Sequence, residues 1–365
     1  MQKVKDVRSL VRVKNVQNIL DILLKEDEVA RVRLSEMTGL TKTTITSLTR
    51  SLIKKGIVEE LTPVLNKKGV GRTVIPLTMK RDAAYTVGIN LSRHSLSAIA
   101  IDTKGDVMLS KKGPSYGNIG PEKVIENLFN VLDDIFSSFP RKINAIGIGV
   151  PGPLNREKGI VIDPPKFYGW KNVPLSEIVK QRYEVPVWIE NDANCAALAE
   201  KWYGSAKKID SFLYVLLNEG IGMGIFTNGR IYKGFTNFEG ELGHFVVSSG
   251  KTAVFLENHP VYEKAVNEVS HEKFCVETLQ EVGQIIGAAL ASISNVLNPQ
   301  CVFVGGKLTK GKEMLFDALS ESFERYTLSK SWGGLTRLTV SKMEEAISVG
   351  GAAHALRNFL LAKAS

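Results

Sequence analysis

The sequence predicts an α/β body of two duplicated halves, preceded by a small module of helices and a β-hairpin. Three observations lead there. Positive charge is gathered at one end: residues 1–80 hold 16 Lys and Arg against 8 Asp and Glu, whereas residues 81–365 hold 31 against 30. Apolar residues in the first 55 positions recur with a helical period. Beyond residue 81, apolar runs of strand length alternate with amphipathic helices in an order that occurs twice. At 365 residues the chain exceeds the range of one hydrophobic core, so two or three domains are expected. The expected division is 1–80 for the basic module, 84–200 with 345–365 for the first α/β half, and 201–344 for the second.

Composition narrows the function classes. No apolar run approaches the ~18 residues of a membrane span, and the basic start lacks a secretory pattern, so the chain reads as a cytoplasmic protein without a membrane partner. Three cysteines, Cys195, Cys275 and Cys301, lie far apart and give neither a disulfide framework nor a zinc spacing. A basic module on a near-neutral body suits a polyanionic partner.

Within the module, Val16, Ile19, Leu20, Leu23 and Leu24 form the apolar stripe of a first helix. A second, around Leu34 to Thr38, stops at Gly39, a residue suited to the left-handed turn that ends helices. Thr41 caps a third, in which Ile45, Leu48, Leu52 and Ile53 face inward. Its outer face then carries Lys42, Thr43, Thr44, Thr46, Ser47, Arg50 and Lys54, with no acidic residue. Three short helices with a glycine turn before the last describe a helix-turn-helix, whose final helix enters the DNA major groove. Ile57 to Leu61 and Thr73 to Met79 flank a turn-prone stretch, predicting a hairpin wing whose tip offers Lys67, Lys68 and Arg72 to phosphates or a minor groove. The candidate DNA contacts are thus Thr41, Lys42, Thr43, Thr44, Thr46, Ser47, Arg50, Lys67, Lys68 and Arg72.

The body opens with strands Tyr85 to Ser92 and Leu96 to Ile101, a Lys104-Gly105 turn, a helix after Pro121 and an apolar strand Ile143 to Val150. The second half repeats the pattern: strands Phe212 to Leu217 and Gly222 to Phe226, an Asn228-Gly229 hairpin turn, a helix about Leu279 to Leu297 and a strand Cys301 to Val304. Ligands of such folds lie in the crevice outside the strand ends.

Four ordered motifs carry a family resemblance: Gly149-Val150-Pro151-Gly152-Pro153-Leu154, Glu190-Asn191-Asp192-Ala193-Asn194, Gly220-Ile221-Gly222-Met223-Gly224-Ile225 with Asn228-Gly229-Arg230, and Gly240-Glu241-Leu242-Gly243-His244. The chain resembles the ROK family of repressors, open reading frames and kinases, whose body has the actin-like, hexokinase-type ATPase fold. The resemblance covers nearly the whole chain, and a helix-turn-helix in front of that body resembles the repressor branch. It implies a monosaccharide or small oligosaccharide effector, operator DNA as partner and a homodimer. It also implies a sugar pocket made by Gly152, Asn191, Asp192, Glu241 and His244, with Glu257 as a further match. Carboxylates accept from sugar hydroxyls, and amide and imidazole groups both donate and accept.

The same resemblance leaves a second reading, an ATP-dependent sugar kinase with an accessory module. A family kinase uses the position of Asp192 as general base. Its first phosphate motif, D-I-G-G-T, stands here as Asn90-Leu91-Ser92-Arg93-His94, and its second, G-T-G-x-G, as Asn218-Glu219-Gly220-Ile221-Gly222. A carboxylate at Glu219 repels a phosphate by roughly 4 kcal/mol at ~4 Å and an effective dielectric near 20 unless a cation intervenes. ATP is therefore not expected as a cofactor, the base position is vestigial, and no enzyme activity is expected. The family's zinc cysteines are missing between Ser248 and Leu256, so no metal is expected, His259 being an unsupported substitute ligand. A third reading, a sugar-sensing scaffold that binds protein through its helices, is disfavoured by the basic outer face of the third helix.

Overall fold

The computed structural model describes residues 7–65, 73–328 and 336–364. In the module, α1 (Val7–Lys25), β1 (Val29–Ala30), α2 (Arg31–Thr38) and α3 (Lys42–Lys54) precede β2 (Val58–Glu60), β3 (Val64–Leu65), β4 (Thr73–Val74) and β5 (Pro76–Met79). The stripe Val16, Ile19, Leu20, Leu23 and Leu24 is buried against Leu34, Ile45, Leu48 and Leu52, as helical spacing requires. Gly39 ends α2 at φ 70°, and Thr41 caps α3 by accepting from the Thr44 N–H at 3.2 Å. Strands β1, β5 and β2 form a small sheet, and β3 pairs with β4 as the stem of the wing. Residues 66–72, with the expected wing contacts Lys67, Lys68 and Arg72, lie outside the described residues.

The first α/β half contains β6 (Thr86–Leu91), β7 (Leu96–Ile101), β8 (Val107–Lys112), α4 (Pro121–Ser138), β9 (Ala145–Val150), the short pair β10 (Leu154–Asn155) and β11 (Ile160–Val161), α5 (Leu175–Tyr183), β12 (Val187–Asn191) and α6 (Asp192–Trp202). The second contains β13 (Phe212–Leu217), β14 (Ile221–Thr227), β15 (Arg230–Ile231), the hairpin β16 (Val246–Ser249) and β17 (Thr252–Phe255), α7 (Pro260–Ser270), α8 (Val276–Leu297), β18 (Cys301–Gly305), α9 (Lys312–Tyr326) and β19 (Arg337–Val340), after which the last helix, α10 (Ala346–Ala364), returns to α6 and the strands of the first half.

The two five-stranded sheets run β12-β9-β6-β7-β8 and β15-β14-β13-β18-β19. Counted from the first strand of each half these orders are the same. In both, the first three strands form an antiparallel meander and the last two are parallel to the first. The duplication read from the sequence is therefore a duplication of topology. Strand β8 carries a weak signal in the sequence, because Val107 to Lys112 is mostly exposed at the sheet edge and its apolar stretch, Val107 to Leu109, is short.

Helix α10 binds the parts together. Its N-terminal residues Ala346, Ile347, Val349, Ala352 and Ala353 enter the core between the halves, with α6 and strands of both sheets. Its C-terminal residues Leu356, Leu360 and Ala364 belong instead to the core of the N-terminal module. The close approach to α6 demands glycine, since a Cβ at Gly350 would fall 1.7 Å from the Cys195 carbonyl oxygen. Arg357 of α10 donates to both carboxylate oxygens of Asp21 on α1 at 2.6 and 2.8 Å. Among the described residues no helix is long and apolar enough to cross a membrane.

Candidate functional site

The ends of β9, β12 and β14 meet in a narrow, open cleft between the two halves. Gly152, Asn191, Asp192, Glu241, His244 and Glu257, the six residues expected to contact sugar, all line it. They come from segments that span more than 100 residues of sequence.

Local structure gives each a distinct capability. Asn191 caps α6: its Oδ1 accepts from the N–H groups of Ala193 and Asn194 at 3.0 and 3.3 Å. This commits the amide oxygen, so toward the cleft Asn191 offers its NH₂ as donor. That NH₂ faces Gly152, where an added Cβ would lie 3.4 Å from it and 3.8 Å from a carboxylate oxygen of Glu241. Asp192, in the first turn of α6, accepts from the Ala193 N–H through Oδ1 at 2.8 Å. Burial, with Glu219 nearby, pushes its carboxyl above the usual range, although the backbone hydrogen bond and Arg93 oppose this.

Glu241 stands at the open side of the cleft. Its carboxyl is also raised, by partial loss of water and by Asp192, Glu257 and Glu239, against the pull of His244. Gly240 before it has φ 80°, and a Cβ there would lie 1.8 Å from the Met223 carbonyl oxygen, so only glycine lets this loop pass β14. His244 places Nε2 3.7 Å from Glu257 Oε1 and stacks on Phe255 with ring centroids 4.9 Å apart. Packing and a carboxylate thus orient an imidazole that has no zinc cysteines beside it. His259 accepts from the Val261 N–H at 3.4 Å as the cap of α7.

Behind the cleft lies an ionic clasp that sequence reasoning missed. Arg156 donates to Glu190 at 2.5 Å, to Glu239 at 2.7 Å and to Asn237 Oδ1 at 2.9 Å. The side chains of Arg156, Glu190 and Glu239 are 8 %, 3 % and 1 % exposed. Asn194 adds bonds to both carboxylates at 3.1 and 3.2 Å. Burial pushes the Glu190 carboxyl up, but Arg156 and the surrounding donors outweigh it and hold it below the usual range. Glu190 precedes Asn191 and Asp192, while Asn237 and Glu239 precede Glu241. The clasp therefore fixes two cleft-lining segments, one from each half, relative to each other.

At the positions of the family's phosphate loops, side chains occupy space that a nucleoside triphosphate would use. Asn90 buries Oδ1 without a partner among the described residues. The guanidinium of Arg93 lies against Gly220, where a Cβ would meet Nη1 and Nη2 at 3.1 and 3.2 Å. A side chain thus fills a turn that a phosphate would need. One part of the expectation is corrected: Glu219 does not face the cleft as a bare anion, because Lys307 pairs with it. That pairing removes much of the repulsion argued from sequence. It also leaves the ammonium engaged.

On α3, Lys42, Thr43, Ser47 and Arg50 are exposed, whereas Thr44 and Thr46 are half-buried. Thr44 Oγ1 pairs with Thr41 Oγ1 at 2.9 Å, and Thr46 Oγ1 donates back to the Lys42 carbonyl at 2.8 Å. The expected outer face is therefore narrower than helical spacing suggested. Thr43 and Ser47, one turn apart, present hydroxyls between the two cations.

Comparison with known proteins agrees with this geometry. Residues 86–260 and 257–358 match the ROK family, and residues 14–59 match a winged helix-turn-helix DNA-binding family. The chain is 27 % identical to the xylose repressor of Bacillus subtilis strain 168, over 97 % of both sequences. It is 26 % identical to the glucokinase of Thermotoga maritima, over 74 % of this chain and 96 % of that one. The crystal structure of a ROK family transcriptional regulator, a homolog of the E. coli MLC protein, superposes with a TM-score of 0.79 at 24 % identity over 97 % of this chain and 99 % of that one, a likeness of fold. With the family motifs gathered in one cleft and the family profile spanning both halves of the body, the chain belongs to the ROK family.

Proposed function

We propose that the protein is a sugar-responsive, DNA-binding transcriptional regulator, a repressor of carbohydrate-metabolism genes that binds its effector in the cleft between the α/β halves. The observation that carries this reading is a shared helix. The cleft's six candidate residues stand in a body whose last helix, α10, forms part of the core of the helix-turn-helix module. Residues 1–80 then bind DNA, while 84–200 with 345–365, and 201–344, form the two halves that hold the sugar.

A sugar bound between Asp192 and Glu241 favours one relative position of the halves, because it touches both. Helix α10 packs on α6 and on the first sheet at one end and on α1 at the other, so that preference reaches the module through Leu356, Leu360 and the Arg357–Asp21 pair. Coupling then equals the difference in sugar affinity between the DNA-binding and released arrangements. A pentose such as xylose is the first effector to test, given the xylose repressors among the relatives. Working in the cytoplasm as a homodimer, the protein would present two copies of α3 to half-sites about one helical turn, or a multiple, apart.

Phosphoryl transfer is the competing reading, favoured by the retained Asp192. It is tested on one preparation by sugar-dependent ADP formation alongside operator binding. We expect no turnover, and Asp192→Ala weakening sugar binding while DNA affinity in sugar-free buffer stays close to wild type. Sugar-dependent ADP formation that Asp192→Asn abolishes would assign the protein to the kinases.

The DNA face has its own test. Thr43→Ala and Ser47→Ala are each expected to lower discrimination between operator and random DNA by about 1–3 kcal/mol, whereas Lys42→Ala and Arg50→Ala weaken all sequences and flatten the salt dependence by about one unit of slope for each phosphate no longer neutralised. Binding to both duplexes across a salt series separates these classes. An operator preference unchanged in the Thr43 and Ser47 variants would mean that α3 does not read the bases.

A further inference from the structure

Arg93 enters the cleft from the turn between β6 and β7 and lines it beside Asn191, Asp192 and Glu241. Its Nε donates to the Pro165 carbonyl at 3.0 Å, which fixes the plane of the guanidinium. Beyond that bond, the hydrogen bonds and ion pairs of the described residues include none to Nη1 or Nη2, although both lie against Gly220, close to Glu257. A half-buried guanidinium with its terminal donors unspent, in a cleft that also holds the carboxylates of Asp192, Glu219, Glu241 and Glu257, is the feature the rest of the site leaves unexplained.

A sugar hydroxyl is both donor and acceptor. Asp192, Glu241 and Glu257 can take hydroxyl protons but cannot serve the oxygen lone pairs. Asn191 contributes one amide group, its oxygen being committed to the cap of α6. Lys307 is engaged by Glu219. Arg93 therefore holds the fixed, charged donors that the acceptor-rich wall lacks, and charge-assisted bonds of this kind are stronger than neutral ones.

We propose that Arg93 is an effector-binding and specificity-determining residue, donating through Nη1 or Nη2 to a hydroxyl oxygen of an uncharged sugar whose other hydroxyls Asp192 and Glu241 hold. The proposal rests on the cleft being the sugar site. It assigns to Arg93 a positive role, beyond obstructing a phosphate turn. Because Arg93 reaches from the first half to Gly220 of the second, a sugar that engages it also ties the halves together.

The test is calorimetric titration of the full-length wild type and of Arg93→Ala with D-xylose, D-glucose and N-acetyl-D-glucosamine, then with single-deoxy analogues of whichever binds best. We expect Arg93→Ala to weaken the best sugar about 10- to 100-fold. The Tm in sugar-free buffer and the affinity for DNA should match wild type, since the side chain spends a single hydrogen bond on the protein. One deoxy analogue, lacking the hydroxyl that Arg93 serves, should bind wild type and variant equally. Equal affinity of both proteins for the parent sugar would overturn the proposal. So would a loss of the same size for every deoxy analogue, which marks a structural role. Wild type that binds none of the three sugars would instead remove the cleft reading, and this proposal with it.

Discussion

Arg156→Met is expected to lower the stability of the protein by about 3–5 kcal/mol, because it leaves two buried carboxylates, Glu190 and Glu239, without their shared cation. Where the variant still folds, its sugar affinity should fall about tenfold or more, a loss of roughly 1.4 kcal/mol or greater. The reason is positional. Glu190 carries Asn191 and Asp192 at its C-terminal side, and Glu239 leads into Glu241, so loss of the clasp frees two binding segments from each other. Arg156→Lys should retain part of both properties, since an ammonium restores charge but cannot reach three acceptors in a fixed fork. Urea denaturation and calorimetry on the same samples check this. Wild-type sugar affinity in a destabilised Arg156→Met protein would show that the clasp supports the fold without shaping the cleft.

Leu356→Ala carries the second large effect. Leu356 is fully buried in α10 among side chains of the N-terminal module, including Leu20, Leu23 and Leu77, so its truncation should cost about 2–5 kcal/mol. The informative outcome is how the loss appears. With a core shared between module and body, both should unfold in one transition that moves to lower temperature as a whole. Scanning calorimetry and hydrogen exchange on α1 and β9 check this. A module that melts separately, with the body unmoved by the substitution, would show that the packing through α10 is too weak to transmit a change from the cleft. The functional counterpart is Arg357→Ala, which should leave sugar binding intact while reducing the effect of sugar on DNA affinity.

The helices of the module were legible because their signal is local. A stripe such as Val16, Ile19, Leu20, Leu23 and Leu24 is only satisfied on one face of a helix, and Gly39 and Thr41 mark the neighbouring ends by backbone geometry and capping. The central strands β6, β9, β13 and β18 announced themselves by apolar runs suited to burial on both faces. Edge strand β8 and the hairpin of β16 and β17 did not, because exposed strands need no apolar pattern. Family motifs singled out Gly152, Asn191, Asp192, Glu241 and His244, and a weaker match Glu257; the fold brings all six to one cleft.

By itself, then, the sequence determined the basic helix-turn-helix, the duplicated body, the family and the loss of phosphate-loop glycines, since each is written in neighbouring residues or in a charge that adds along the chain. Tertiary structure alone decided how the polar groups are spent. Arg156 finds Glu190 and Glu239 at sequence separations of 34 and 83, and Lys307 neutralises Glu219 from 88 residues away. Thr46 turns its hydroxyl back to its own helix, Asn191 gives its oxygen to a cap, and Arg93 spends its Nε on the Pro165 carbonyl. Whether a side chain is free or engaged depends on what the fold brings within about 3 Å of it. No pattern along the chain encodes that distance.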